Sequence, residues 1–177
     1  MNTKQIQELA LSLGATAAQP VDPQEITFHQ ELRGMCAMNR CGKYGTNWGC
    51  PPGCGEMDAL ANAVRSFSRG VVYQLVGRLE DSFDFEGMMA SEKIFYQMTR
   101  GLREALAKEN LPSLVLGAGT CRECEKCTYP QEPCRFPDKK HTSVEACGIY
   151  VTKLCEAAGL SYINGENTLT NTGLILF

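Results

Sequence analysis

Basic runs, long apolar runs and histidine are scarce in this chain of 177 residues. Seventeen basic against twenty acidic residues leave a net charge of -3, with no Lys/Arg cluster. The electrostatic footprint that nucleic acid or an anionic membrane requires is therefore missing, and neither is an expected partner. No stretch reaches the length of a membrane span. The N-terminal MNTKQIQELALSLGATAAQP is interrupted by Gln, Glu and Ser, so it lacks the continuous apolar core of a secretory signal. These absences place the chain in the cytoplasm as an expectation. The only histidines, His29 and His141, form neither HExxH nor a paired zinc spacing, and both are expected as ordinary surface or core residues. There is no radical-SAM C-x3-C-x2-C motif, no evident acid/base pair, no tandem repeat and no low-complexity linker.

What the chain does have is cysteine. Ten cysteines could form five disulfides in a secreted protein, but in a reducing compartment clustered thiols point to metal or redox chemistry. The background composition, 44% hydrophobic and 21% charged, is that of an ordinary globular chain, and the length suits one domain over residues 1–177.

Apolar spacing predicts a helix over Lys4 to Leu13, capped by Thr3 and stopped by Gly14. After the turn-rich ATAAQPVDPQ, ITFHQEL reads as a strand or an extended approach to the cysteines. EMDALANAVRSF reads as a helix and VVYQLVGRL as a strand; the DSFDFEG turn then leads to a helix beginning at Ser91 and closing at Asn110. SLVLGAG reads as a buried strand, Ser143 to about Ala158 as a helix, and SYINGENTLTNTGLILF as two short strands around a turn. Alternating helix and strand predicts a layered α/β fold, or its α+β variant: a small sheet flanked by helices, with cysteine loops at about 33–55 and 119–141.

The later loop, CRECEKCTYPQEPC, carries Cys121, Cys124 and Cys127 at C-x2-C-x2-C spacing, followed by Cys134. A bacterial ferredoxin cluster uses this three-cysteine run, whereas structural zinc is more often held by two separated pairs. The earlier loop, CAMNRCGKYGTNWGCPPGC, has the looser spacing Cys36-x4-Cys41-x8-Cys50-x3-Cys54. It can hold a second [4Fe-4S] cluster with four thiolates, or with three and an open or exogenous fourth ligand; zinc is the competitor. Gly42, Gly45, Gly49 and Gly53 permit close backbone approach, Pro51 biases Cys50 away from helix, and Tyr44 and Trp48 can shield the site or pack as core. Arg33, Arg40, Lys43, Arg122, Lys126 and Arg135 can offset cluster charge or sit solvated. Cys147 and Cys155, two helical turns apart, read as small buried hydrophobes, with Cys147 the first substitute if a loop cysteine is not a ligand.

Cys-x4-Cys-x8-Cys-Pro-Pro, the later Cys-x2-Cys-x2-Cys with Pro-Cys-Arg-x-Pro, and SVEACGIYV together resemble the predicted metal-binding family called domain of unknown function 2284. The likeness spans about Arg33 to the C-terminal GLILF. It implies metal binding in anaerobic bacteria or archaea through Cys36, Cys41, Cys50, Cys121, Cys124, Cys127 and Cys134, with Cys54 outside the matched motif. Three functions remain open at this stage. The chain is an iron-sulfur carrier with one or two [4Fe-4S] clusters and a redox partner protein, a zinc-stapled structural or interaction module, or a cluster-dependent enzyme with an open coordination site.

Overall fold

The computed structural model describes residues Met1–Phe177. Helix α1 (Thr3–Ser12) starts one residue earlier than its apolar spacing suggests: Asn2 is the cap, exchanging hydrogen bonds with Gln5 in a capping box. The ATAAQPV segment is not a turn but strand β1 (Ala17–Val21), an edge strand where Pro20 costs no interior ladder bond. ITFHQEL is not a strand: Phe28 makes one bridge to Ile149, and helix α2 (Gln30–Ala37) then begins. Cys36 therefore sits in the last turn of a helix.

Helix α3 (Met57–Arg65) and strand β2 (Gly70–Arg78) follow as their patterns predict. Helix α4 (Phe85–Lys108) begins two turns before Ser91, because the Asp84 carboxylate accepts from Gly87 N and Glu80 N and so caps it. Strand β3 (Leu114–Leu116) closes that half. The region after Ser143 is broken: a 3-10 turn at Glu145–Cys147 ends in left-handed Gly148 at φ 82°, and helix α5 (Val151–Ala157) starts only afterwards. The C-terminal hairpin expected around a turn at Asn-Gly or Asn-Thr-Gly does not form: Asn164 and Gly165 precede, and Asn171 to Gly173 lie inside, one long strand, β4 (Thr168–Leu176).

The four strands pair antiparallel in the order β1-β2-β4-β3. The fold is mixed α/β, with helices over both faces of this sheet. Alternation along the strands splits the core. Val71, Tyr73, Val115, Ile175 and Phe177 face α1 and α4, where Ile6, Phe95, Leu102 and Leu106 are buried. Val72, Leu116, Leu174 and Leu176 face the other way, against Val64 of α3, Leu154 of α5 and the Val144–Ile149 segment. Tyr73 lies over Gly173, directly opposite it in the register, and its hydroxyl meets Thr99 Oγ1 at 2.9 Å and donates to Leu116 O at 3.0 Å. No helix is long and apolar enough to cross a membrane.

Candidate metal centre

The metal-ligand candidates gather at the end of β3. Past Leu116 the chain runs through Gly117, Ala118 and Gly119 to Thr120 and Cys121, and Gly117 forms a parallel bridge with Ser143. Two backbone bonds, Gly117 N to Thr142 O and Val144 N to Gly117 O, both 3.0 Å, clamp the base of the later cysteine loop. Gly117 is needed for a neighbour rather than for a metal: a Cβ there would run into the His141 ring. His141 is 1% exposed and lies against Tyr96, and its Nε2–H donates to Ala118 O at 2.8 Å, fixing the neutral tautomer. It is the core residue its isolation in the sequence suggests.

Burial lowers the His141 pKa to about 4, with Arg103 and Arg122 adding to the effect and the Ala118 bond opposing it. An unfolded histidine takes its proton near pH 6.5, so this group's contribution is fully present above that pH and is lost as pH falls toward about 4. The loss amounts to up to about 3 kcal/mol. Urea midpoints of the metal-free protein are expected to fall more steeply from pH 7 to pH 5 in the parent than in His141→Gln; parallel slopes would refute this origin.

Around the later loop, Cys121, Cys124, Cys127 and Cys134 all line one cavity, together with Asn47, Trp48, Arg135, Phe136 and Lys140. Its volume is about 20 Å³, room for little more than a water molecule. No three His, Cys, Asp or Glu side chains converge tightly enough to grip a single ion. A cubane would require the loop to widen, and the loop is free to do so: between Cys121 and Lys140 only Thr128 is buried. Trp48 closes one side by reaching from the earlier loop, its Nε1 donating to Glu132 O at 3.1 Å and its ring meeting Tyr129 edge-on at 4.9 Å.

The earlier loop gives a different picture. Cys36, Cys41 and Cys50 line a wider cleft of about 370 Å³, with Lys43, Tyr44, Thr120 and Arg122 among its walls. Cys54 does not line it. That thiol is 6% exposed and accepts from Arg33 Nη1 at 3.3 Å, while the same guanidinium donates to Ala146 O and Gly55 O at 2.7 Å. Burial pushes the Cys54 thiol up, against the pull of Arg33, and raises Cys36 as well. Cys147 is fully buried and its pKa is pushed up to about 12, chiefly by burial, so it stays an unreactive thiol. Cys155 is buried too, accepting from Gln74 Nε2 at 3.2 Å.

The two loops interlock instead of leaving the sheet as separate excursions. Asn47 Nδ2 donates to Thr120 Oγ1 at 3.1 Å, and the same hydroxyl meets Cys50 Sγ at 3.3 Å. Thr120 thus belongs to the wall of the first cleft, and the next residue, Cys121, to the wall of the second cavity. Residues 19–177 match the family described as predicted metal-binding protein, domain of unknown function 2284.

The chain belongs to this family.

No curated protein and no solved structure matches it. In this member of domain of unknown function 2284, seven of the eight loop cysteines line the two cavities, Cys36, Cys41 and Cys50 the first and Cys121, Cys124, Cys127 and Cys134 the second. Several surrounding residues were not evident from the sequence. Glu92 of α4 pairs with Arg122 at 2.6 Å, carrying that arginine into the first cleft although it follows Cys121 in the later loop. Tyr96 accepts from Arg122 N at 2.9 Å and donates to Glu123 Oε1 at 3.0 Å. The available signal was the i,i+4 spacing of Glu92 and Tyr96, which sets both on one side of α4. Arg135 and Lys140 line the second cavity, and Arg33 is committed to Cys54; Arg40 and Lys126 line neither site.

Proposed function

We propose that this protein is a cytoplasmic iron-sulfur protein that holds a [4Fe-4S] cluster in each loop and relays electrons between them to a redox partner protein. The observation that carries this reading is the Thr120–Cys121 step, which gives consecutive residues to the two sites while the Thr120 hydroxyl touches Cys50. Successive Cα atoms are about 3.8 Å apart, so the two sites are joined over one peptide unit.

The four thiols in the lining of the second cavity, three of them at C-x2-C-x2-C spacing, suit iron-sulfur better than zinc. Clusters bound in the two loops supply one-electron chemistry. The chain's own residues do the rest: Trp48 and Tyr129 keep water from one flank, Arg135 and Lys140 offset thiolate charge, and the clamp at Gly117 fixes the loop to the sheet.

Anaerobic purification with iron, acid-labile sulfide and zinc analysis tests the proposal. Equimolar iron and sulfide in a brown protein, with an EPR signal on reduction, are expected. A colourless protein rich in zinc and free of sulfide would instead establish a structural metal staple.

A further inference from the structure

Three thiols, not four, line the first cleft, and the position of the fourth cysteine is explained without a metal. Cys54 lies under the Arg33 guanidinium, between the carbonyl oxygens of Gly55 and Ala146, each 3.9 Å from its sulfur. Arg33 spans α2, the end of the earlier loop and the segment before Cys147, with one bond to each of three acceptors. Turning Cys54 into the cleft would strip one acceptor from a part-buried guanidinium and withdraw a buried side chain from its packing. Cys54 is a strut.

The cleft itself has room beyond its three thiols, at about 370 Å³. Its charged groups are not equivalent. Arg122 is held by Glu92 at 2.6 Å, so these two cancel. Glu145 also lines the cleft, and burial shifts its carboxyl toward the neutral form. Lys43 lines the cleft without an ion pair and Tyr44 brings a hydroxyl group, whereas the Ser143 hydroxyl is engaged by Ala146 N and Glu145. One cation without an ion pair beside a hydroxyl donor is the chemistry that receives a small anion bearing oxygen donors.

We propose that Cys36, Cys41 and Cys50 alone hold the first metal group, and that the remaining coordination position takes a small exogenous carboxylate, drawn into the cleft by Lys43. This rests on the iron-sulfur reading above and makes the first site a place where substrate can bind, fed by the second.

The test uses the full chain reconstituted anaerobically with iron and sulfide. Cys54→Ala, and Cys54→Val as a variant that keeps the buried space filled, are expected to retain the parent's iron and sulfide, whereas Cys41→Ala loses half. Malonate labelled with 13C, added to the reduced parent, is expected to give a 13C hyperfine coupling on the cluster signal. In Lys43→Gln the malonate needed for that coupling rises by about tenfold. Loss of half the iron from both Cys54 variants would overturn the three-thiolate site and leave the iron-sulfur reading intact. A zinc protein without sulfide would remove that reading itself. Full iron with no malonate coupling, or a 31P coupling from inorganic phosphate in its place, would overturn the carboxylate assignment.

Discussion

With a [4Fe-4S] cluster in each loop, as proposed, replacing Cys124 by alanine is expected to halve the iron and sulfide bound per chain and to open the loop from Cys121 to Lys140 to protease. The thiol lines the second cavity with Cys121, Cys127 and Cys134, at the middle of the C-x2-C-x2-C run. Apart from a metal, this loop is held by side-chain contacts and not by a core: Trp48 reaches Glu132 and Tyr129, and Glu92 and Tyr96 reach Arg122 and Glu123. Only Thr128 is buried along it, and its internal contacts are few: Thr128 Oγ1 donates to Pro133 O at 2.9 Å and Arg135 Nη1 to Lys126 O at 2.9 Å. A segment without a core takes its order from the metal, so losing one ligand is a loss of folding free energy as well as of cofactor. Trypsin reads this directly, since Arg122, Lys126 and Arg135 all lie in the loop. Cys147→Ala is the control: a thiol 0% exposed in the core, whose removal is expected to cost about 1 kcal/mol and leave the iron content unchanged. Equal iron in Cys124→Ala and the parent would count against the second site.

The contrast between those cysteines was legible in the sequence because it rests on local spacing. Three cysteines at regular intervals must point into one loop, and Cys147 and Cys155 lie among apolar residues whichever way the backbone runs. The intervening structure was less legible for the same reason in reverse. Val144, Cys147, Val151 and Cys155 keep helical spacing, yet Gly148 takes a left-handed φ with Met57 packed where its Cβ would be, so the helix cannot start before Val151. A contact with α3, ninety residues away by number, decided it. Strand β1 was hidden because AAQPV has neither alternation nor β-branched density; its partner β2 recruits it through five paired positions. The strands β2 and β3, buried on both faces, announced themselves as apolar runs.

Cys54 shows where spacing stops being informative. Cys50-x3-Cys54 places two thiols one turn apart, which suits a shared metal as well as it suits none. Only the arrival of Arg33 from α2, and of the Ala146 carbonyl from the far side of the sequence, gives Cys54 a different partner. The union of the loops was equally invisible, since Thr120, Asn47 and Gly49 carry no metal-binding signature.

That union yields the second large expected effect. Gly49→Ala is expected to lower stability by about 3 kcal/mol and, with a cluster in each loop as proposed, to remove the magnetic interaction between the two when reduced. A Cβ at Gly49 would strike the His141 carbonyl oxygen and lie 2.8 Å from Cys121 Cβ and 3.2 Å from Asn47 Oδ1. Two of these are backbone or backbone-adjacent atoms that cannot swing aside, so the loops must part. Parting breaks the Asn47 Nδ2 to Thr120 Oγ1 bond of 3.1 Å and draws Cys50 from Thr120, the step that joins the sites. Gly45→Ala separates this steric cause from glycine's conformational freedom. Gly45 has φ 67° but open space around its Cβ direction, so alanine there costs about 1 kcal/mol of backbone strain and leaves the loops in register. EPR of the reduced proteins decides between them: an interaction spectrum kept in Gly45→Ala and reduced to two independent signals in Gly49→Ala follows from the interlock. An unchanged interaction spectrum in Gly49→Ala would mean that electron exchange between the sites does not depend on the contact at Cys121.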